Sequence, residues 1–197
     1  MAINSDMPPR CFLYAIKSIA YKNPHYGMPV IASVMCSDNM KIYIKDFIKI
    51  GCFGPVKIGM PKEEVLEYLG EPDSDNDLDE TGSILLYARY ELFFNHENIL
   101  WSIQNDNYDP KEPVSFKFEN DSVEIDSWFL NQDKGQTIDS VSKLLNEQNV
   151  KYSIVEYYGR KVIKAESEVV VDFSDEENET GIHELIGLRY WPGENHT

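Results

Sequence analysis

The chain has 197 residues, is 42% hydrophobic and 12% aromatic, and carries a formal charge of −16. That length allows one large or two small domains, and the apolar content allows a buried core. So negative a chain repels phosphate backbones, and no basic stripe offsets it, which argues against nucleic-acid binding.

Residues 1–39 differ in character from the rest of the chain. They carry three basic and two acidic residues, whereas residues 40–197 carry 15 and 32. Prolines 8, 9, 24 and 29 interrupt the segment and it shows no clean period. It reads as a poorly ordered arm or an extension ahead of a domain that starts near Met40. The segment CFLYAIKSIA is too short to span a bilayer, is broken by Lys17, and lacks a convincing cleavage site. SVMC fails as a lipid-attachment signal because Met35 occupies the position of a small residue. No membrane association and a cytoplasmic location are expected. Cys11, Cys36 and Cys52 are odd in number and widely spaced, suggesting neither a disulfide framework nor a zinc site.

Next comes GPVKIGMPKEEVLEYLGEP, residues 54–72. The spacing predicts a helix over 61–69, with Pro61 in the first turn, Glu63 and Glu64 at the positive end of the dipole, and Gly70 and Pro72 ending it. Gly54 and Gly59 have the spacing of a phosphate loop. Met60 and Pro61 stand where that loop needs Lys and Ser or Thr, so the match fails where the chemistry lies. The acidic run DSDNDLDE, 73–80, spaces Asp73, Asp75 and Asp77 like a calcium loop. Leu78 and Ile84 replace its glycine and its bidentate glutamate, and a solvated loop is the expectation.

Strands come next in the chain: ILLYARYELFF, ENILWSIQ and VSFKF. In the first, Ile84, Leu86, Ala88, Tyr90, Leu92 and Phe94 alternate with Leu85, Tyr87, Arg89, Glu91, Phe93 and Asn95. The first set is apolar and assigned to the core; the second is mixed and assigned to an open face. The pattern then repeats. Gly59, Val65, Tyr68 and Leu69 recur as Gly135, Val141, Leu144 and Leu145, an offset of 76 at each position. The i, i+3, i+4 spacing marks a helix with one buried face. YSIVEYYG, RKVIKAESEVVVDF and HELIGLRYW supply the second set of strands. There Ile163, Ala165, Val169, Val171 and Phe173 form the apolar side, and Val162, Lys164, Glu166, Glu168, Val170 and Asp172 the other.

The expected fold is α+β: two tandem units at 40–127 and 128–197, each a short helix on an antiparallel sheet with one solvated side. Gly59, Met60, Pro61, Glu64, Val65, Leu69, Gly70 and Pro72 form an element that resembles the opening of the helix-on-sheet unit of β-lactamase inhibitor proteins and small outer-membrane-assembly lipoproteins. The tandem order is closer to the inhibitor proteins; uncharacterised soluble bacterial immunity-like proteins are also similar. The resemblance implies a protein that grips a partner with a concave sheet. The second copy departs from the pattern, with Gln136 and Asn146 in place of the Met and the Gly-x-Pro ending.

No chemistry competes with that expectation. His25, His96, His183 and His196 have no partner at metal spacing, no G-x-S-x-G occurs, and carboxylates are too abundant for a catalytic pair to stand out. No cofactor and no metal are expected, and nothing names an enzyme. Tyr87, Arg89, Glu91 and Phe93, with Glu166 and Glu168, are the candidate contacts, an aromatic and charged patch suited to binding protein. Trp101, Trp128, Tyr157, Tyr158 and Trp191 add aromatics, roughly half of them expected in packing. The functional expectation is a non-enzymatic protein-binding module, an immunity-type inhibitor that covers a basic partner. The alternative is a small-molecule enzyme or binding protein with a site between the two sheets.

Overall fold

The computed structural model describes residues 39–106, 108, 117–131, 136–177 and 181–190. The expected arm, Asn39 excepted, lies outside the described residues, as does Trp191. The described chain is mixed α and β, with mostly antiparallel strands and three α-helices.

The stretch from Met40 divides into strand β1 (Met40–Tyr43) and helix α1 (Ile44–Ile50). Ile44, Phe47 and Ile48 form the buried stripe of α1, and Gly51 ends it at φ 74°. Cys52 comes next, buried and disulfide-bonded. The number and spacing of the cysteines do not suggest that bond.

Helix α2 (Lys62–Leu69) begins one residue later than expected, because Pro61 is extended and acts as its N-cap. Val65 and Leu69 are buried, whereas Tyr68 is exposed. The loop before α2 spends its backbone on the protein. Gly59 N–H donates to Leu100, Lys62 N–H to Asn98, and Leu100 N–H returns to Met60. These amides are thus used to stitch the loop to a strand. Gly70 ends α2 at φ 71°, where a Cβ would lie 2.6 Å from Ser122 Oγ. Asn120 Nδ2 donates to the carbonyls of Leu69 and Glu71 and holds the helix end. The glycine-punctuated stretch is a hinge that seats a helix.

Strands β2 (Ser74–Asp77), β3 (Ser83–Tyr87), β4 (Tyr90–Phe94) and β5 (Leu100–Asn105) come after α2. β2 corrects the expected solvated loop: SDND pairs antiparallel with β3 as an edge strand. Only one side of an edge strand needs a partner, so poor strand formers are tolerated, and charge there discourages further pairing. Short strands β6 (Phe118–Glu119) and β7 (Val123–Asp126) join β1 in a separate three-stranded sheet, with β1 and β7 parallel. The described end of VSFKF therefore belongs to this small sheet.

Helix α3 (Ile138–Glu147) opens with a reciprocal cap between Thr137 and Ser140 and buries Val141 and Leu145. Strands β8 (Tyr152–Tyr157), β9 (Arg160–Ala165), β10 (Val169–Phe173) and β11 (Leu185–Tyr190) complete the chain. The large sheet has the order β2-β3-β4-β5-β11-β10-β9-β8. β5 and β11 are hydrogen-bonded neighbours, so all eight strands share one sheet. One hydrophobic cluster joins β1, α1, α2, α3, the small sheet and one face of the large sheet. The other face of the large sheet, here the outer face, points away from that core.

Candidate partner-binding face

Pairing defines the outer face row by row. Leu86 pairs with Glu91, Glu91 with Gln104, Gln104 with Arg189, Arg189 with Val170, Val170 with Lys164, and Lys164 with Ser153. Cross-strand partners point to the same side, so this row crosses seven strands on one face. The next row starts Ile84, Phe93, Ser102.

Alternation alone puts Ile84 and Leu86 in the core and Tyr87 on the open face; the structure reverses both. A two-residue turn at Ala88 and Arg89 breaks the supposed single strand, and Tyr87 pairs with Tyr90. Leu85 and Tyr87 are buried with Leu92 and Phe94, while Ile84 and Leu86 face outward. Tyr87 is 0% exposed. Its hydroxyl donates to the Gly70 carbonyl at 2.9 Å and its ring meets Phe118 edge-on. Burial raises its pKa. It is a core residue that buttresses the α2 end and offers a partner nothing. Ala88 takes φ 52°, and its N–H donates to Asp73 Oδ2 at 2.7 Å. Arg89 sits in this turn, half-buried, rather than on a strand face.

Glu91 and Phe93 do lie on the outer face, both half-buried. Glu91 accepts from Gln104 Nε2 at 2.8 Å. Phe93 packs against Trp101 with ring centroids 5.8 Å apart. Trp101 is 53% exposed, an extra residue where the β4–β5 register shifts. Bulges of this kind re-aim a side chain. Trp101 is the aromatic that sequence reasoning underrates, since a bulge leaves no signal in alternation.

Glu166 and Glu168 occupy the three-residue turn between β9 and β10, at the same end of the sheet as Phe93 and Ser102. Glu166 lies 3.4 Å from Lys151 and Glu168 2.6 Å from Lys164. The first pair is largely solvated and holds the turn only weakly, whereas the second is half-buried.

The second half of the outer face differs. Val162, Val170 and Asp172, all expected in solvent, are buried instead. The Asp172 carboxylate lies 3.2 Å from Arg189 and 3.4 Å from Arg160, and both guanidinium groups approach the Tyr157 ring. Burial pushes the Asp172 pKa up, and the two arginines oppose that rise. Long side chains thus close over this part of the sheet.

A pocket of about 590 Å³ opens at one end of the first four strands, lined by Lys62, Asp75, Asp77, Ser83, Asn95 and His96 among others. Lys62 Nζ donates to Asp75 at 2.7 Å and to Ser83 at 3.0 Å. Among the described residues no cluster of His, Cys, Asp and Glu has metal-binding geometry, and no helix is long and apolar enough to cross a membrane.

No family model, curated protein or solved structure matches the chain.

Proposed function

We propose that the protein is a non-enzymatic binding module that covers a basic protein partner, in the manner of an immunity-type inhibitor, with the outer face of its first four strands. The observation that carries this reading is the half-exposed patch of Ile84, Leu86, Phe93 and Trp101, edged by Glu91. A rigid sheet presenting aromatic anchors with an acidic rim suits protein recognition. A charge of −16 would steer a basic partner toward it. In this reading Arg89, at the hairpin tip, edges the patch, and Glu166 and Glu168, in the β9–β10 turn of the second half, are acidic charges beyond it that steer the encounter.

The same reading treats the chain as two tandem units, 40–127 and 128–197. The repeated order of a helix and four strands, with β5 meeting β11 at the centre, supports that division. The small three-stranded sheet belongs to the first unit alone.

The test uses association rates with the captured basic partner. Reversing Glu166 and Glu168 to Lys slows association and flattens its salt dependence. Rates that ignore both changes at low salt would show that these residues do not steer it. A small-molecule site is the second reading, and the pocket around Lys62 and His96 supports it. A metabolite screen in which binding disappears with His96→Ala would favour that reading.

A further inference from the structure

The two edges of the large sheet are built differently. β2 is four residues long, and residues 71–80 around it carry six acidic and no basic residues. Such an edge resists added strands. β8 is six residues long and exposed over its central four, with Ile154 49% and Val155 36% accessible on opposite sides. It pairs only with β9 among the described strands. An exposed edge that presents apolar side chains is a template for strand addition.

From this contrast we infer that β8 is a self-association edge, and that its occupant is β8 of a second copy, antiparallel about a two-fold axis at Ile154. Charge selects the occupant. Residues 151–168 carry four basic and three acidic residues, so this hairpin is +1 in a chain of −16. Two copies meet there with the least repulsion. Antiparallel pairing centred on Ile154 is also self-complementary. It sets Ile154 against its own copy and Tyr152 against Glu156 on one side, and Ser153 against Val155 and Lys151 against Tyr157 on the other. No like charges fall opposite each other, and five of the six β8 residues, 152–156, overlap.

The experiment is sedimentation of the full chain over a concentration series. The chain should form a dimer of twice 22.7 kDa. Ile154→Lys places two like charges at the axis and should weaken the dimer at least about tenfold. Asp75→Lys on the opposite edge should leave it intact. Amide exchange of residues 153–156 should slow as the dimer forms. Ile154 is half in solvent, so its variant keeps the fold; Val155→Lys provides a second disruption. A chain that stays monomeric throughout, or a dimer that survives both β8 variants, would overturn the inference. A monomer whose β8 amides are protected only by another protein would do the same.

Discussion

Strands β3 and β4 turn Ile84, Leu86 and Phe93 outward and leave them half-exposed, whereas β9 and β10 turn Val162 and Val170 outward and bury them. The same layout of helix and four strands therefore ends in two different surfaces. In the first half Phe93 packs on Trp101, Gln104 reaches Glu91, and Ile84 and Leu86 stay half-exposed. In the second half Arg160, Arg189 and Tyr157 gather over Asp172 and seal the face. The core sides differ as well. The first half is backed by α2 and the small sheet, with Phe53 against Tyr90 and Phe118 against Tyr87, whereas α1 leans on the second half, where Ser167 Oγ donates to the Ile48 carbonyl. A face assigned to solvent by alternation can therefore be closed by its own long side chains. A binding surface on this sheet is thus expected on the first half.

The largest effect should come from breaking the seam between the halves. A Cβ on Gly187 would collide with the Asn105 carbonyl oxygen, across the β5–β11 pairing. Gly187→Ala should destabilise the fold by about 3 kcal/mol, measured by chemical denaturation. A cost under about 0.5 kcal/mol would mean that the strands separate freely.

Next, the two faces of β4 should separate cleanly. Leu92→Ala, in the core, should cost about 3 kcal/mol; Phe93→Ala, on the outer face, should cost under about 1 kcal/mol. Equal losses would show that the outer face is packed in both halves.

Smaller effects test the β3–β4 turn. Tyr87→Phe removes one buried hydrogen bond and should cost about 1 kcal/mol without changing partner affinity. Asp73→Ala removes the acceptor for the Ala88 N–H and should cost a similar amount, about 1 kcal/mol. A loss of partner affinity in Tyr87→Phe would return that residue to the face.

The smallest effect is a pH dependence in the second half. Burial raises the Asp172 pKa above its unfolded value of about 3.8. Its contribution to stability is then fully present below the unfolded value and is lost as pH rises through the folded one. Stability curves of the wild type and Asp172→Asn should shift in favour of the variant as pH climbs through the carboxylate range. A shift in the opposite direction would show that Arg160 and Arg189 outweigh burial.

How much of this is legible in the sequence depends on turns. Both helical stripes can be read because Val65, Leu69, Val141 and Leu145 keep helical spacing. The inner face of β9 and β10 can also be read. Their turn has three residues, so Ile163 pairs with Val171 and odd positions stay with odd ones. The turn between β3 and β4 has two residues, so Leu85 pairs with Leu92 and the alternation swaps sides. Nothing in Tyr-Ala-Arg-Tyr announces that turn. Ala88 is held at positive φ by a carboxylate fifteen residues earlier, a long-range contact. SDND as a strand is hidden for the same reason, since β3 supplies its pairing. Of the candidate contacts, Glu91 and Phe93 reach the outer face by period, while Trp101 reaches it by a bulge.

The most direct test of a binding face on the first half is paired capture from the native lysate, with the wild-type chain and a Phe93→Ser, Trp101→Ser variant as baits. A basic protein should be retained stoichiometrically by the wild type, released by salt, and missing from the variant. Equal retention by both baits would contradict a binding face there.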